Sequence, residues 1–269
     1  MSPPHFDSTS VPRANALAGA TLVITRPAGT SAAFAARARA LGGDTLAVPG
    51  LSLREAADAP TARAALQAAR GAPTWIFTSP AAVRFAFRLV PDLAIAPPAR
   101  ALCVGSGTAR ALALRGIPAI APRASSDSEG LLALPELADV RGRRIALVCA
   151  PGGRDAIAAE LQRHGALVEA IHVYQRKPPR LTRRHFEALA HASDPLITLL
   201  SSGAALTNLV ALLPAPLLTR LRHQTLVVSS ARLAALARGH GFEDILEAAS
   251  ALPHDLLEAA GKALARHRL

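Results

Sequence analysis

Six short segments of this 269-residue chain place hydroxyl and glycine residues where an apolar run gives way to a stretch of helical character. They read Thr25-Arg26-Pro27-Ala28-Gly29, Thr78-Ser79-Pro80, Gly105-Ser106-Gly107-Thr108, Ala150-Pro151-Gly152-Gly153-Arg154, Ser201-Ser202-Gly203 and Ser229-Ser230-Ala231-Arg232. The first amides of a helix lack carbonyl partners and sit at the positive end of its dipole, so small hydroxylated residues there can receive anions. Capping alone explains any one of these turns. Six in one chain point to a ligand with several anionic groups. Tyr174 is the only tyrosine. A phenol keeps its proton at neutral pH, so it could serve as a weak acid facing a cleft between domains; the alternative is a ring packed at a hinge.

Other chemistries are poorly served. No Gly-x-x-x-x-Gly-Lys-Ser/Thr occurs, and Val104-Gly105-Ser106-Gly107-Thr108 lacks the third glycine of a dinucleotide fingerprint. A Gly-x-Ser-x-Gly elbow and a His-Glu-x-x-His motif are also missing. Cys103 and Cys149 are the only cysteines and both sit in apolar runs, which argues against a disulfide framework or a metal site. The nine histidines mostly adjoin arginine or fall at helix ends, so they read as surface residues.

The elements that would hold these turns follow from periodicity. Apolar runs at 22–25, 74–78, 101–104, 144–149, 196–200 and 224–228 are predicted strands, and helices follow them at about 30–41, 80–90, 107–115, 153–164, 203–213 and 230–238. Further helices are predicted at 60–70, 128–137, 182–191 and 254–267. Ser79-Pro80 is a clean helix start, because serine caps the free amides and proline at the first helical position loses no bond. Strand and helix in alternation imply βα units on parallel sheets, whose ligands bind at the carboxyl ends of the strands.

The chain also repeats. Leu22–Gly29 aligns with Ile145–Gly152, and Trp75–Val83 with Thr198–Leu206, both at an offset of 123 residues, with later matches drifting to 124 and 125. A period this long marks a duplicated domain rather than a solenoid. The fold class expected is α/β, with two flavodoxin-like parallel-sheet domains related by duplication and joined by a two-stranded hinge. Segments 47–53 and 169–175 occupy equivalent places and read as crossovers between the domains. Residues 1–18 read as a disordered tail without a signal-peptide core. Only 3% of residues are aromatic although 51% are hydrophobic, so the cores must be built from Ala, Leu and Val. The net charge of +11 favours polyanions, but the arginines are scattered without a basic tract or a DNA-binding motif. No apolar run approaches the roughly 20 residues of a membrane span. A soluble cytoplasmic protein with no nucleic-acid or membrane partner is expected.

The ordered set Val23-Ile24-Thr25-Arg26-Pro27, Ile76-Phe77-Thr78-Ser79-Pro80-Ala81-Ala82-Val83, Val104-Gly105-Ser106-Gly107-Thr108-Ala109, Ser128-Glu129-Gly130-Leu131-Leu132, Gly152-Gly153-Arg154 and Val173-Tyr174-Gln175-Arg176 resembles the uroporphyrinogen-III synthase family over nearly everything after the tail. The match is looser at Leu200-Ser201-Ser202-Gly203 and Val228-Ser229-Ser230-Ala231-Arg232. The resemblance implies one domain of 19–46 plus 176–269 and another of 54–168. It implies cyclisation of hydroxymethylbilane to uroporphyrinogen III, with loss of water and inversion of the terminal ring, without metal or organic cofactor. Tyr174 would be the acid. Arg26, Thr78, Ser79, Gly105, Ser106, Thr108, Arg154, Ser201, Ser202, Gly203 and Ser229 would bind the linear tetrapyrrole polycarboxylate. A monomer is expected, in transient contact with the preceding enzyme of the pathway. The rival readings are a non-catalytic tetrapyrrole- or anion-binding regulator of the same fold, and a duplicated flavodoxin-like protein binding nucleotide or sugar phosphate.

Overall fold

The computed structural model describes residues 15–122, 128–152 and 155–266. The strands are β1 Thr21–Ile24, β2 Asp44–Ala47, β3 Ser52–Glu55, β4 Thr74–Phe77, β5 Arg100–Cys103, β6 Ala119–Ile120, β7 Arg144–Cys149, β8 Leu167–His172, β9 Tyr174–Lys177, β10 Leu196–Leu200, β11 Thr225–Val228 and β12 Ile245–Glu247. The helices are α1 Ala32–Ala40, α2 Ala59–Ala68, α3 Pro80–Leu89, α4 Ser106–Ala113, α5 Ser128–Leu132, α6 Asp155–Arg163, α7 Arg183–Ala190, α8 Gly203–Leu212, α9 Ala215–Arg222, α10 Ala231–Gly239 and α11 Pro253–Arg266. All six predicted strands are present within a residue at each end.

Two compact units divide the chain. The first runs to Ser52 and resumes at Lys177; the second is Leu53–Arg176. Each holds a five-stranded parallel sheet, in the order β12-β11-β10-β1-β2 in the first unit and β6-β5-β4-β7-β8 in the second. Both faces of the central strands are covered, which is why those strands read as continuous apolar runs. In the first unit Val23, Leu196, Leu200, Leu226 and Val228 enter one core, while Leu22, Ile24, Ile197, Leu199 and Val227 enter the other. The second unit alternates in the same way, with Trp75, Phe77, Ala146 and Val148 against Ile76, Leu102, Ile145 and Leu147.

Topology shows how the duplication was used. In the repeat, β1 and β2 correspond to β7 and β8, and β10 to β12 correspond to β4 to β6. Each sheet therefore takes its first pair of strands from one copy and its last three from the other. β3 and β9, at equivalent places in the two copies, form a separate two-stranded sheet.

Three expectations change. The segment read as a tail through residue 18 is structured from Asn15: Leu17 is fully buried, and its amide donates to Leu41 O at 2.9 Å. Residues 1–14 lie outside the described residues. The segments read as single crossovers are each divided between two strands: the end of an edge strand of a main sheet (β2 runs to Ala47, β8 to His172) and the start of a separate strand (β3 begins at Ser52, β9 at Tyr174). β2 and β8 are edges with few buried residues, so they lack the apolar signature of their neighbours. The predicted helix 128–137 stops at Leu132, and a single 3-10 turn at Pro135–Leu137 follows, because Pro135 brings no amide proton to continue it.

Candidate functional site

In a sheet of this order the strands on either side of the reversal point send their helices to opposite faces, and the crevice left at their carboxyl ends is where ligands bind. In the second unit that point lies between β4 and β7. Thr78, just past β4, is tied to β7 there: its amide donates to Val148 O at 3.2 Å and its hydroxyl to the same oxygen at 3.3 Å. The next residue, Ser79, is extended (φ −167°, ψ 161°) and caps α3, its Oγ accepting from Ala82 N at 3.1 Å.

Tyr174 meets this turn from β9. Its hydroxyl lies 3.1 Å from Ser79 Oγ, and its ring stacks on Phe85 of α3 with centroids 5.5 Å apart and planes 11° from parallel. The guanidinium of Arg176 lies 5.8 Å from the centre of the Tyr174 ring and donates to Pro151 O at 3.4 Å. Arg84 and Arg88 stand 5.0 and 5.7 Å from the Phe85 ring. Cations over ring faces are attracted by the quadrupole, so the aromatic pair is held among positive charges. Tyr174 is only 2% exposed whereas Ser79 is half-buried. Of the pair, the serine faces outward. A pocket of about 310 Å³ adjoins Tyr174, bounded by the start of α2, the end of β8 and Pro151.

The neighbouring turn of the second unit leads into α4. Gly105 caps that helix without a side chain, Ser106 is exposed, and Gly107 brings the first turn of α4 against Pro80, where an added Cβ would stand 3.6 Å from Pro80 Cγ. Ser79 and Ser106 thus stand at adjacent helix N-termini. Thr108, by contrast, is turned into the core at 4% exposure.

The first unit carries its own set. Thr25 Oγ1 donates to Leu199 O at 2.7 Å across its reversal point, between β1 and β10. Arg26 follows. Its guanidinium lies 5.0 Å from the Phe34 ring centre and donates to Ala251 O at 3.3 Å, while its Nε is buried with no acceptor. Burial lowers its pKa from the ordinary arginine value. Ser202 and Ser230 cap α8 and α10 by accepting from Ala205 N and Leu233 N, each at 3.4 Å. Ser201 is exposed and Ser229 half-buried. Gly203 permits close packing, since a Cβ there would come within 3.2 Å of Leu236 Cδ2.

Cys149 lies at the end of β7, near Asp155 and Arg176. Burial, with a smaller push from Asp155 and an opposing pull from Arg176, raises its pKa to about 11. Cys103 is raised too, again by burial. Both are neutral thiols at physiological pH, so neither is poised as a nucleophile.

The structure thus brings Thr78, Ser79, Gly105, Ser106 and Tyr174 to one end of the second sheet, and Arg26, Ser201, Ser202, Gly203 and Ser229 to the corresponding end of the first. Arg154 lies outside the described residues. Sequence reading missed Phe85 and Arg176 as parts of the site. Arg176 follows Tyr174 by two residues on a strand and so shares its face, a signal that was available; the Phe85 stack depends on tertiary packing.

Residues 32–258 match the family model described as uroporphyrinogen-III synthase HemD. The chain is 34% identical over 158 residues to the uroporphyrinogen-III synthase of Escherichia coli K12, covering 58% of this chain and 64% of that one. It is 34% identical over 163 residues to the uroporphyrinogen-III synthase of Salmonella typhimurium, covering 60% and 66%. The match therefore spans slightly less than two thirds of these relatives' length. Among solved structures, a mutant uroporphyrinogen-III synthase of the extreme thermophile Thermus thermophilus superposes with a TM-score of 0.58 at 21% identity, covering 92% of this chain and 99% of that one. The uroporphyrinogen-III synthetase of Helicobacter pylori gives 0.55 at 16% identity, covering 93% and 99%. At those identities the structures speak for the fold.

Proposed function

The chain belongs to the uroporphyrinogen-III synthase family, and on that premise we propose that it cyclises hydroxymethylbilane to uroporphyrinogen III, losing water and inverting the terminal pyrrole ring. The observation that carries the reading is the Tyr174–Ser79 hydroxyl pair, 3.1 Å apart at the reversal point of the second sheet. The strand-end turns suit the substrate. Hydroxymethylbilane bears eight carboxylates, and the turns of each unit offer helix N-termini, hydroxyls and guanidinium groups. A hydrogen bond between charged partners is worth roughly 1.5 to 3 kcal/mol. Arg26, with a buried and unanswered Nε–H, is assigned to a carboxylate, as is Arg154.

Loss of the hydroxyl needs modest acid help, because the pyrrole nitrogen pushes it out. Tyr174 is the protein acid of this proposal. The harder task is selectivity: the terminal ring must attack through its substituted carbon, by way of a spiro intermediate, rather than close directly. Holding a flexible chain in that geometry is an entropic contribution. It requires fixed turns more than reactive groups, which fits a site built of capped helix ends. We assign the chain to the cytoplasm, acting as a monomer that takes its substrate from the enzyme releasing it.

The test is a coupled assay that supplies hydroxymethylbilane to the purified protein, followed by chromatographic separation of the oxidised uroporphyrin isomers. Predominant type III product supports the proposal. Only type I, the product of spontaneous closure, would sink it and favour a binding or regulatory role.

A further inference from the structure

Counting donors and acceptors around Ser79 fixes the direction of its hydrogen bonds. A serine hydroxyl has one proton and two lone pairs. One lone pair of Ser79 Oγ is taken by the amide of Ala82 at 3.1 Å. The Tyr174 hydroxyl, 3.1 Å away, is buried with its ring, and Ser79 is its hydrogen-bond partner among the described residues. Were Ser79 to donate to the phenol, the phenol's own proton would be buried without an acceptor, an arrangement that proteins avoid. With Tyr174 donating, both lone pairs of Ser79 Oγ are filled and every buried group is satisfied. The serine proton then remains as the one free function of the pair, on the half-exposed side, with the positive end of α3 behind it.

We infer that Ser79 Oγ–H, not the Tyr174 phenol, is the donor that meets the substrate, and that Tyr174 acts through it as a positioning and proton-supplying residue. The inference rests on the proposed synthase reaction. In the step, the Ser79 proton passes to the hydroxyl oxygen of the substrate while the C–O bond breaks with its electrons on that oxygen, and water leaves. The pyrrole nitrogen supplies the electron pair that forms the exocyclic double bond. The phenolic proton of Tyr174 shifts to Ser79 Oγ, and the resulting negative charge lies beside the Arg176 guanidinium, 5.8 Å from the ring centre. The substituted carbon that attacks first carries no hydrogen, and the spiro intermediate opens by breaking that carbon's original bond to its methylene bridge. The freed methylene is captured by the unsubstituted α-carbon of the same ring. That carbon loses the proton, which returns by the same two oxygens, so none is consumed overall.

The test is a double-mutant cycle on the full chain, read as the rate of type III formation and as the ratio of type III to type I product. Ser79→Ala is expected to lower the type III rate by about 10²-fold and Tyr174→Phe by about tenfold, at the lower end of general-acid effects or below it. Because the tyrosine works through the serine, the double variant is expected to match Ser79→Ala within about twofold. Ser79→Thr, which keeps both the cap and the hydroxyl, restores most of the rate. Ser79→Asn keeps a capping acceptor and controls for folding through its melting temperature; it stays slow. Losses that multiply in the double variant, or a Ser79→Ala protein that outperforms Tyr174→Phe, would overturn the relay while leaving the synthase reading intact. A wild-type protein that yields type I alone overturns both.

Discussion

Ser79 in the second unit and Ser202 in the first stand 123 residues apart at the same place in the repeat, and each caps its helix through the amide three residues on, Ala82 or Ala205. What lies against them differs. Beyond Ser79 the linking segment presents Tyr174, which stacks on Phe85. Beyond Ser202 the corresponding segment presents bare backbone: Gly50 lies so close to α8 that an added Cβ would stand 2.5 Å from Ala205 Cβ. Asn208, the repeat partner of Phe85, donates instead to Gly50 O at 2.9 Å. One frame thus supports a hydroxyl relay in one unit and a close-packed backbone contact in the other. Duplication supplied two equivalent crevices, and the proposed proton chemistry belongs to the one that kept an aromatic pair.

Substitution at paired positions tests this contrast, and the largest effect is expected at the stack. Phe85→Ala should cost about 3 to 5 kcal/mol in denaturant unfolding, against about 1 kcal/mol for Asn208→Ala, which removes one hydrogen bond. Equal costs would mean that the two contacts are energetically alike. Gly50→Ala comes next, at about 3 kcal/mol, because the methyl would meet helix backbone that cannot yield. Its counterpart at the 122-residue offset of this segment, His172, is exposed, and His172→Ala should leave the melting temperature within a degree or two.

A pH-dependent contrast follows. Arg26 and Cys149 are repeat partners, and burial disfavours the charged form of both. For Cys149 the folded pKa, about 11, lies above the ordinary thiol value of 9.0. Its contribution is therefore fully present below pH 9 and is lost as pH rises through the folded value. That loss amounts to about 3 kcal/mol. Cys149→Ala should flatten the alkaline limb of the stability profile between pH 9 and 11; an unchanged limb would show that the thiol is better solvated than its surroundings suggest. The smallest effect is expected at Thr198, the repeat partner of Trp75. Each has a buried polar atom without a partner, Thr198 Oγ1 and Trp75 Nε1. Thr198→Val keeps the shape and removes the orphan, so it should stabilise by up to about 1 kcal/mol; destabilisation would reveal an acceptor for the hydroxyl.

The central strands were legible because burial on both faces leaves an unbroken apolar run, as in Leu22-Val23-Ile24 and Ile145-Ala146-Leu147-Val148. The helix starts were legible because Ser79-Pro80 and Ser202-Gly203 carry capping chemistry. β2 and β8 were not, since edge strands with exposed positions lose that run. Leu17 was hidden for a different reason: Phe6, Val11 and Leu17, spread irregularly through a polar, Pro-containing segment, give no periodic signal, although Leu17 is fully buried against the first unit's core. Of the site, the turns could be found from residue type and position. Thr78 and Thr108 could not be told from Ser79 and Ser106 in that way, because which hydroxyl faces inward depends on the twist of the strand and the rotation of the helix.

The sequence by itself determined two α/β copies, the strands whose carboxyl ends carry anion-receiving turns, and the family. These are local properties, written in the period of apolar residues and in the capping residues at each strand end. Only the tertiary structure decided that Thr25 is tied to Leu199 across the first sheet's reversal point, that Tyr174 is buried behind Ser79, and that Phe85 rather than its partner Asn208 carries the stack. Those facts join residues about 90 to 175 positions apart in the chain. Contacts at that separation are set by how strands order within a sheet, which no local window of residues contains.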